Sequence, residues 1–144
     1  MSLADEIRVI VRRFQDEALN AGNLGVLDEL AIAGYEEHDP VPGQTAGLAG
    51  LKHRVAMLRD AFRPQVTVED LLAEGDRVVV RWTNRGVHIG EFMGIPPTGR
   101  SFVIAGIDIH CLRDGKLAEH WHLVDQLSLL QRLSLLPMPE TANA

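Results

Sequence analysis

Apolar residues recur along the first part of the chain at steps of three and four: Ile7, Val11, Phe14, Ala18 and Ala21. That spacing predicts a helix with one buried stripe, and Ser2 followed by Asp5 offers a capping-box start ahead of it. The helix is expected to end near Gly22. Asn23 then opens a short second helix carrying Leu27 and Leu30. "GYEEHDPVPGQT" from residue 34 reads as a loop, because Pro40, Pro42 and Gly43 break both periodicities. Leu48, Leu51, Val55, Leu58 and Phe62 mark a third helix with the cleanest helical stripe in the chain.

After Pro64 the period drops to two. Residues 66–73 and 77–87 predict two strands joined around Gly75, and the Gly- and Pro-rich "IGEFMGIPPTG" that follows predicts a loop. Residues 100–112 and 116–124 predict a second pair of strands joined at "RDGK". Asp125 stands where an N-cap belongs, ahead of a short amphipathic helix through Leu133. The last stretch, "PMPETANA", is expected to fray. Helices first and a strand meander afterwards, without βαβ alternation, predict an α+β fold with an antiparallel sheet. The 144 residues suit a single domain, 1–144, with an ordered core over about residues 3–136.

Register decides what the last hairpin presents. A two-residue turn at Asp114-Gly115 sets even positions against odd ones, whereas a three-residue loop Arg113-Asp114-Gly115 sets even against even. The second is preferred, because it puts Gly115 at the position that needs positive φ. Leu112 then pairs with Lys116, Asp108 with His120 and Gly106 with His122. One face carries Phe102, Ile104, Asp108, His110, His120 and His122, and reads as the lining of a pocket. Trp82, on the strand face of Val78 and Val80, is expected in its wall; Arg81 and Arg85 point the other way, so no arginine is assigned to the pocket. The opposite face of the hairpin holds Val103, Ala105, Ile107, Ile109, Cys111, Leu117, Trp121 and Leu123. A face that apolar must be covered, and since the helices are needed over the pocket, a homodimer through it is predicted.

Composition narrows the partners. At 46% hydrophobic and 24% charged the chain is expected to be compact and globular, and a formal net charge of −6 with no basic run longer than Arg12-Arg13 excludes nucleic acid. Cys111 is alone, so neither an intramolecular disulfide nor a Cys-based zinc motif is expected, which suits a reducing cytoplasm. The first ten residues carry mixed charge, and no apolar run approaches the roughly eighteen residues of a membrane span; neither export signal nor membrane partner is expected.

"YEEHDP" (35–40), "GVHIGEFMGIPPTGRSF" (86–102), "IDIHCLRDGKLAEHWHLVD" (107–125) and "LLQRL" (129–133) together resemble the SnoaL-like polyketide and ester cyclases of the nuclear-transport-factor-2-like superfamily. The resemblance covers most of the chain. It implies an α+β cone, cystatin-like, in which N-terminal helices close a strongly curved antiparallel sheet around an apolar pocket, usually in dimers or small assemblies. It also implies ring closure by intramolecular aldol condensation of a polyketide ester, with an Asp as acid/base near a His on the preceding strand, and with no metal or cofactor. Aligned on Asp114-Gly115, this chain places His122 at the catalytic Asp position and Asp108 at the His position, so the pair is exchanged.

The expected activity is cofactor-independent proton abstraction next to a carbonyl on a small apolar or aromatic substrate, of lyase or isomerase type. His122 is the expected general base, since a neutral imidazole with a reference pKa of about 6.5 can take an acidic proton at cellular pH, and Asp108 is its expected orienting partner. His110, His120, Trp82, Phe102 and Ile104 are expected to shape or polarise the site. His38 and His88, in loops that the resemblance places near the pocket mouth, are expected to touch substrate. His-x-His could in principle hold a metal, but strand neighbours two apart always share a face, and none is assigned. Two other readings remain open: a non-catalytic small-ligand binding protein on the same fold, and water addition to an epoxide. In limonene-epoxide-hydrolase-like relatives the latter uses an Asp-Arg-Asp set, which the absence of a pocket arginine disfavours.

Overall fold

The computed structural model describes residues 2–137, so the tail expected to fray lies, from residue 138 onward, outside the described residues. Helix α1, Leu3–Arg13, starts with the capping box read from the sequence: Ser2 Oγ accepts the Asp5 N–H at 3.2 Å, and the Asp5 carboxylate accepts the Ser2 N–H at 3.2 Å. The helix does not stay regular to Gly22. Over Phe14–Asn20 it widens to π winding, with Phe14, Gln15 and Ala18 buried. Arg59 closes this segment from across the fold, its Nη1 donating to the carbonyls of Leu19 at 2.6 Å and Asn20 at 2.7 Å.

A 3-10 turn, Leu24–Val26, and the one-turn helix α2, Leu27–Leu30, lead into a strand where the sequence reading had a loop. This strand, β1 (Ala31–Glu37), lies at the sheet edge and runs parallel to β5. Its register slips between Ala31 and Glu36, so its burial never settles into clean alternation. Helix α3, Gly47–Phe62, buries Leu51, Val55, Ala61 and Phe62 and ends at Arg63, left-handed with φ 44°, just before Pro64.

Strands β2 (Gln65–Glu74), β3 (Arg77–Val87), β4 (Ser101–Arg113) and β5 (Lys116–Val124) form the expected antiparallel meander, in the order β1-β5-β4-β3-β2. The β4–β5 turn corrects the sequence reading. Arg113 pairs with Lys116 around a two-residue turn in which both Asp114 (φ 53°) and Gly115 (φ 76°) are left-handed, since Asp tolerates that region. Ala118 is then left unpaired as a bulge between the pairs Leu112–Leu117 and Cys111–Glu119. Two consecutive residues, Leu117 and Ala118, therefore turn inward, and Leu117 joins the core instead of the outer face.

Turn and bulge together restore the even-with-even parity. Asp108 pairs with His122, His110 with His120 and Gly106 with Val124, two residues along from the expected partners. The even face of the hairpin is the buried one: Phe102, Ile104, Asp108, His110 and His120 all lie within the fold. On the other face Leu123 is 80% exposed, Ile107 47% and Val103 42%. Helix α4, Gln126–Arg132, starts from Asp125 as expected, its Oδ1 accepting the Ser128 N–H at 3.1 Å, and turns Leu129 inward.

Candidate active site

The roof of helices and the inner face of the sheet do not meet everywhere. Between them is a cavity that leaves about 100 Å³ to the centre of a water-sized sphere. Phe14, Leu58 and Phe62 bound it from the helices, and Trp82, Phe102 and Ile104 from the sheet. Trp82 can lie over β4 because its partner there is Gly106; a Cβ at that position would overlap the indole ring. Phe92 reaches in from the 88–99 loop, and Leu129 from α4. The walls are thus mostly apolar, with polar groups gathered at one end, which is the usual build of a small-molecule site.

That end is a charge cluster drawn from three strands and a helix. His120 on β5 places Nδ1 2.6 Å from Oε1 of Glu37 on β1 and Nε2 3.1 Å from Oδ1 of Asp108 on β4. The Asp108 contact is off the hydrogen-bond line and acts as an ion pair. Arg54 of α3 donates from Nη1 to Glu37 Oε1 at 3.2 Å. His122 Nδ1 lies 3.4 Å from Glu37 Oε2, while its backbone N–H donates to Asp39 Oδ2 at 2.9 Å. The rings of His110, His120 and His122 form a stack, with centroids 4.5 and 4.9 Å apart.

Burial and pairing pull these groups in opposite directions, and the pairing wins for the carboxylates. Burial alone would raise Asp108, but the contact and charge of His120, with Arg54 beyond it, hold it down to about 2. Glu37 is likewise held well below the usual carboxylate range, its burial outweighed by His120, His122 and Arg54. For His120 burial disfavours the charge, yet Asp108 and Glu37 on either side raise it above the ordinary imidazole value. His110 has no such pair of partners; burial, reinforced by the charge of His120, pushes it down to about 3, and it is neutral.

Asp108, His120, His122, Trp82, Phe102 and Ile104 line the cavity. His110 sits one layer behind, stacked on His120 and edge-on to Phe14. His38 is elsewhere: its ring stacks on Trp121, 4.2 Å away on the outer face of the sheet, with Nε2 3.0 Å from Glu119. It follows Glu37, the β1 partner of His120, and donates its backbone N–H to the His120 carbonyl at 2.9 Å, but its ring projects to the other side. His88 is buried without lining the cavity; its Nδ1 accepts the Thr98 N–H at 3.2 Å and closes the base of the 88–99 loop. The expected Asp108–His122 couple also differs. The two are backbone partners, but the carboxylate beside His122 is Glu37, and Asp108 faces His120 and His110.

Glu37, Arg54 and Gln15 escaped the sequence reading, although two of them left a signal. Arg54 falls three residues after Leu51 and four before Leu58, inside the apolar stripe of α3, and Gln15 falls four after Val11 in that of α1. A polar side chain in a buried stripe calls for a buried partner or a cavity.

Two sets in the cluster have the composition of a two-His, one-carboxylate metal site: Glu37 with His120 and His122, and Asp108 with His110 and His120. Their geometry is poor for it. The stacked rings are nearly parallel, at 14° and 26°, so their in-plane nitrogens run side by side, and Arg54 Nη1 lies 3.5 Å from His120 Nδ1 where a second cation would stand. Among the described residues no helix is long and apolar enough to cross a membrane.

The sequence profile of the SnoaL-like polyketide cyclases matches residues 9–133. The aklanonic acid methyl ester cyclase DauD of Streptomyces sp. (strain C5) is 32% identical over 133 residues, which span 86% of this chain and 79% of the relative. DnrD of Streptomyces peucetius, also an aklanonic acid methyl ester cyclase, is 31% identical over 86% of this chain and 88% of its own. Among solved structures, TsrD from Streptomyces laurentii superposes with a TM-score of 0.85 at 30% identity, over 94% of this chain and 99% of that one.

Proposed function

The chain belongs to the SnoaL-like polyketide cyclases, with their α+β cone, and from that premise we propose that it closes a ring by cofactor-independent acid/base chemistry on a small, largely apolar or aromatic polyketide-like carbonyl compound. The observation that carries the reading is the cluster at the polar end of an apolar cavity: His122 beside Glu37, and His120 held between Glu37 and Asp108. His122 takes the proton from the carbon between two carbonyls. Glu37 orients its ring and stabilises the imidazolium that forms. Asp108 acts through His120, as a positioning residue, and the positive charge of Arg54, with that which Asp108 and Glu37 favour on His120, lowers the energy of the developing enolate. Arg54 Nε and Trp82 Nε1 have no partner among the described residues and are available as donors to carbonyl oxygens. After carbon–carbon bond formation the proton on His122 passes to the new alkoxide, so acid and base are restored together.

The same proposal includes a homodimer through the exposed Val103–Ile107–Leu123 face and a cytoplasmic setting, the latter supported by the lone, buried Cys111. The test is turnover of aklanonic acid methyl ester, the compound on which DauD and DnrD act, and of simpler aromatic β-keto esters, followed by mass spectrometry. His122→Ala is expected to lower kcat by two to four orders of magnitude, on the order of general-base removal. Unchanged turnover in His122→Ala and Asp108→Asn would sink the assignment. If ligands bind tightly and none is converted, the chain is a binding protein on the same fold.

A second reading gains from Arg54. The sequence placed no arginine in the pocket, but α3 supplies one, paired with Glu37 and close enough to Asp108 for its charge to count. A guanidinium paired with one carboxylate and near a second resembles the set with which limonene-epoxide-hydrolase-like relatives add water to an epoxide. Incorporation of oxygen from labelled water into a diol, lost in Arg54→Lys, would favour this chemistry over ring closure.

A further inference from the structure

Away from the charge cluster, the cavity wall contains three polar side chains that the chemistry above does not use: Asn84, whose Oδ1 accepts the Gln65 N–H, Gln126, which is exposed, and Gln15, which is buried. Gln15 lies in the π-wound segment, is 1% exposed and lines the cavity, and neither its Oε1 nor its Nε2 has a hydrogen-bond partner among the described residues. A buried carboxamide left unpaired loses about 1–3 kcal/mol for each unsatisfied group relative to a satisfied one, so Met or Leu would serve the empty fold better at this position. π turns recur at functional sites, and Gln15 follows Phe14, itself a wall of the cavity, at the first turn of this one.

We propose that Gln15 is a ligand-recognition residue, and that its carboxamide binds a hydroxyl next to a carbonyl on a small aromatic ligand. The carboxamide is both donor and acceptor, with the two functions side by side. A lone carbonyl satisfies only its NH2, and a carboxylate would set oxygen against Oε1. A phenol or enol hydroxyl beside a carbonyl satisfies both by exchanging its internal O–H···O=C bond for two bonds to the carboxamide: the O–H turns to donate to Oε1 while Nε2 donates to the freed carbonyl oxygen. The group recognised here is separate from the carbon that loses its proton at the His122 end. The proposal rests on the reading that this cavity takes aromatic carbonyl compounds, and it makes Gln15 a selector among them.

The test compares 1-hydroxy-2-acetonaphthone with 2-acetonaphthone, which differ by the one hydroxyl. Binding to the parent protein, Gln15→Met and Gln15→Leu is followed by tryptophan fluorescence, since Trp82 lines the cavity and Trp121 lies on the outer face. The parent is expected to prefer the hydroxylated ligand by about tenfold, the effect of one good hydrogen-bonding arrangement. In both variants the preference is expected to fall to within about twofold, the hydroxylated ligand losing more affinity than 2-acetonaphthone, with unfolding temperatures at or above the parent's. Equal binding of the two ligands by the parent, or a preference that survives in both variants, overturns the role of Gln15 while leaving the cavity reading intact. A fall in the unfolding temperature of both variants also overturns it, because the carboxamide would then be satisfied within the empty fold. Binding of neither ligand by the parent overturns the cavity reading and the proposal with it.

Discussion

His120 Nδ1 and Glu37 Oε1 are 2.6 Å apart, and the two residues are also backbone register partners across β5 and β1. One contact therefore serves two purposes. It attaches the edge strand to the sheet, and it brings to the cavity a carboxylate that raises the pKa of His120 and lies 3.4 Å from His122 Nδ1. Strand pairing positions the acid, and the acid's partners on β5 and α3 anchor an edge strand whose register is otherwise irregular.

Removing that carboxylate tests the arrangement. Glu37 is buried at 5% side-chain exposure, and Glu37→Gln leaves buried Arg54 without its paired carboxylate and His120 with Asp108 alone. Breaking a buried pair from one side typically destabilises by about 3–5 kcal/mol, so a loss of about 3 kcal/mol in urea unfolding is expected. The His120 ring protons should titrate at lower pH than in the parent. A stability change within about 0.5 kcal/mol, with an unmoved His120 titration, would mean that the contact does not organise the cluster.

Much of this arrangement is legible in the sequence, and the exceptions have physical causes. The Ser2 and Asp125 caps, the stripe of α3 and the four antiparallel strands all rest on local signals that the fold keeps. The even face of the hairpin emerged correctly because two deviations cancel: a two-residue turn shifts parity, and the bulge at Ala118 shifts it back. No local signal announces that bulge. Strand β1 is an edge strand with a register slip, so "AIAGYEE" carries no alternation to read, and Glu37 went unnoticed with it. Arg54 and Gln15 interrupt apolar stripes, which marks them as unusual but leaves their partners, far away in sequence, unnamed.

The floor of the cavity depends on a missing side chain. Gly106 pairs with Trp82 across β3 and β4, and a Cβ there would overlap the ring atoms of the indole. Gly106→Ala must displace the Trp82 ring or bend the strand. Overpacking of this kind typically destabilises by about 1–3 kcal/mol. A matching drop in the unfolding free energy is expected, together with weaker ligand binding at the displaced wall. Retained affinity and stability would show that the indole has room to move.

Outside the sheet, Leu123 is 80% exposed beside Ile107 at 47% and Val103 at 42%. Trp121 is held on the same face between the stacked ring of His38 and the guanidinium of Arg77, 5.1 Å from the ring centroid. An apolar patch with a fixed aromatic and a cation at its border has the make-up of an interface between copies. Sedimentation of the parent as a dimer, and of Leu123→Glu as a monomer with unchanged circular dichroism, is the expected result. A monomeric parent at micromolar concentration would remove the dimer from the proposal.

Two of the stacked imidazoles, His110 and His120, give stability a pH dependence of opposite sign. His110 is pushed down to about 3 in the fold against about 6.5 unfolded, so between those values the unfolded chain binds more protons and stability falls as the pH is lowered. Asp108, held down to about 2, contributes stability above its unfolded value of about 3.9; that contribution disappears as the pH falls through the folded value, and Glu37 acts in the same direction. His120 has the opposite sign. Its folded pKa is raised, so its contribution is complete below about 6.5 and is lost as the pH rises through the folded value. Stability should therefore peak near neutrality and decline on both sides, by on the order of a few kcal/mol toward acid. Urea midpoints from pH 3 to 9 test this, and variants separate the limbs. His110→Phe is expected to remove the decline between about pH 6.5 and 4 while sparing the one below it, and His120→Gln to flatten the alkaline side. A parent whose midpoint does not change between pH 4 and 7 would mean that His110 finds a proton partner in the fold, and that its two unpaired nitrogens are satisfied.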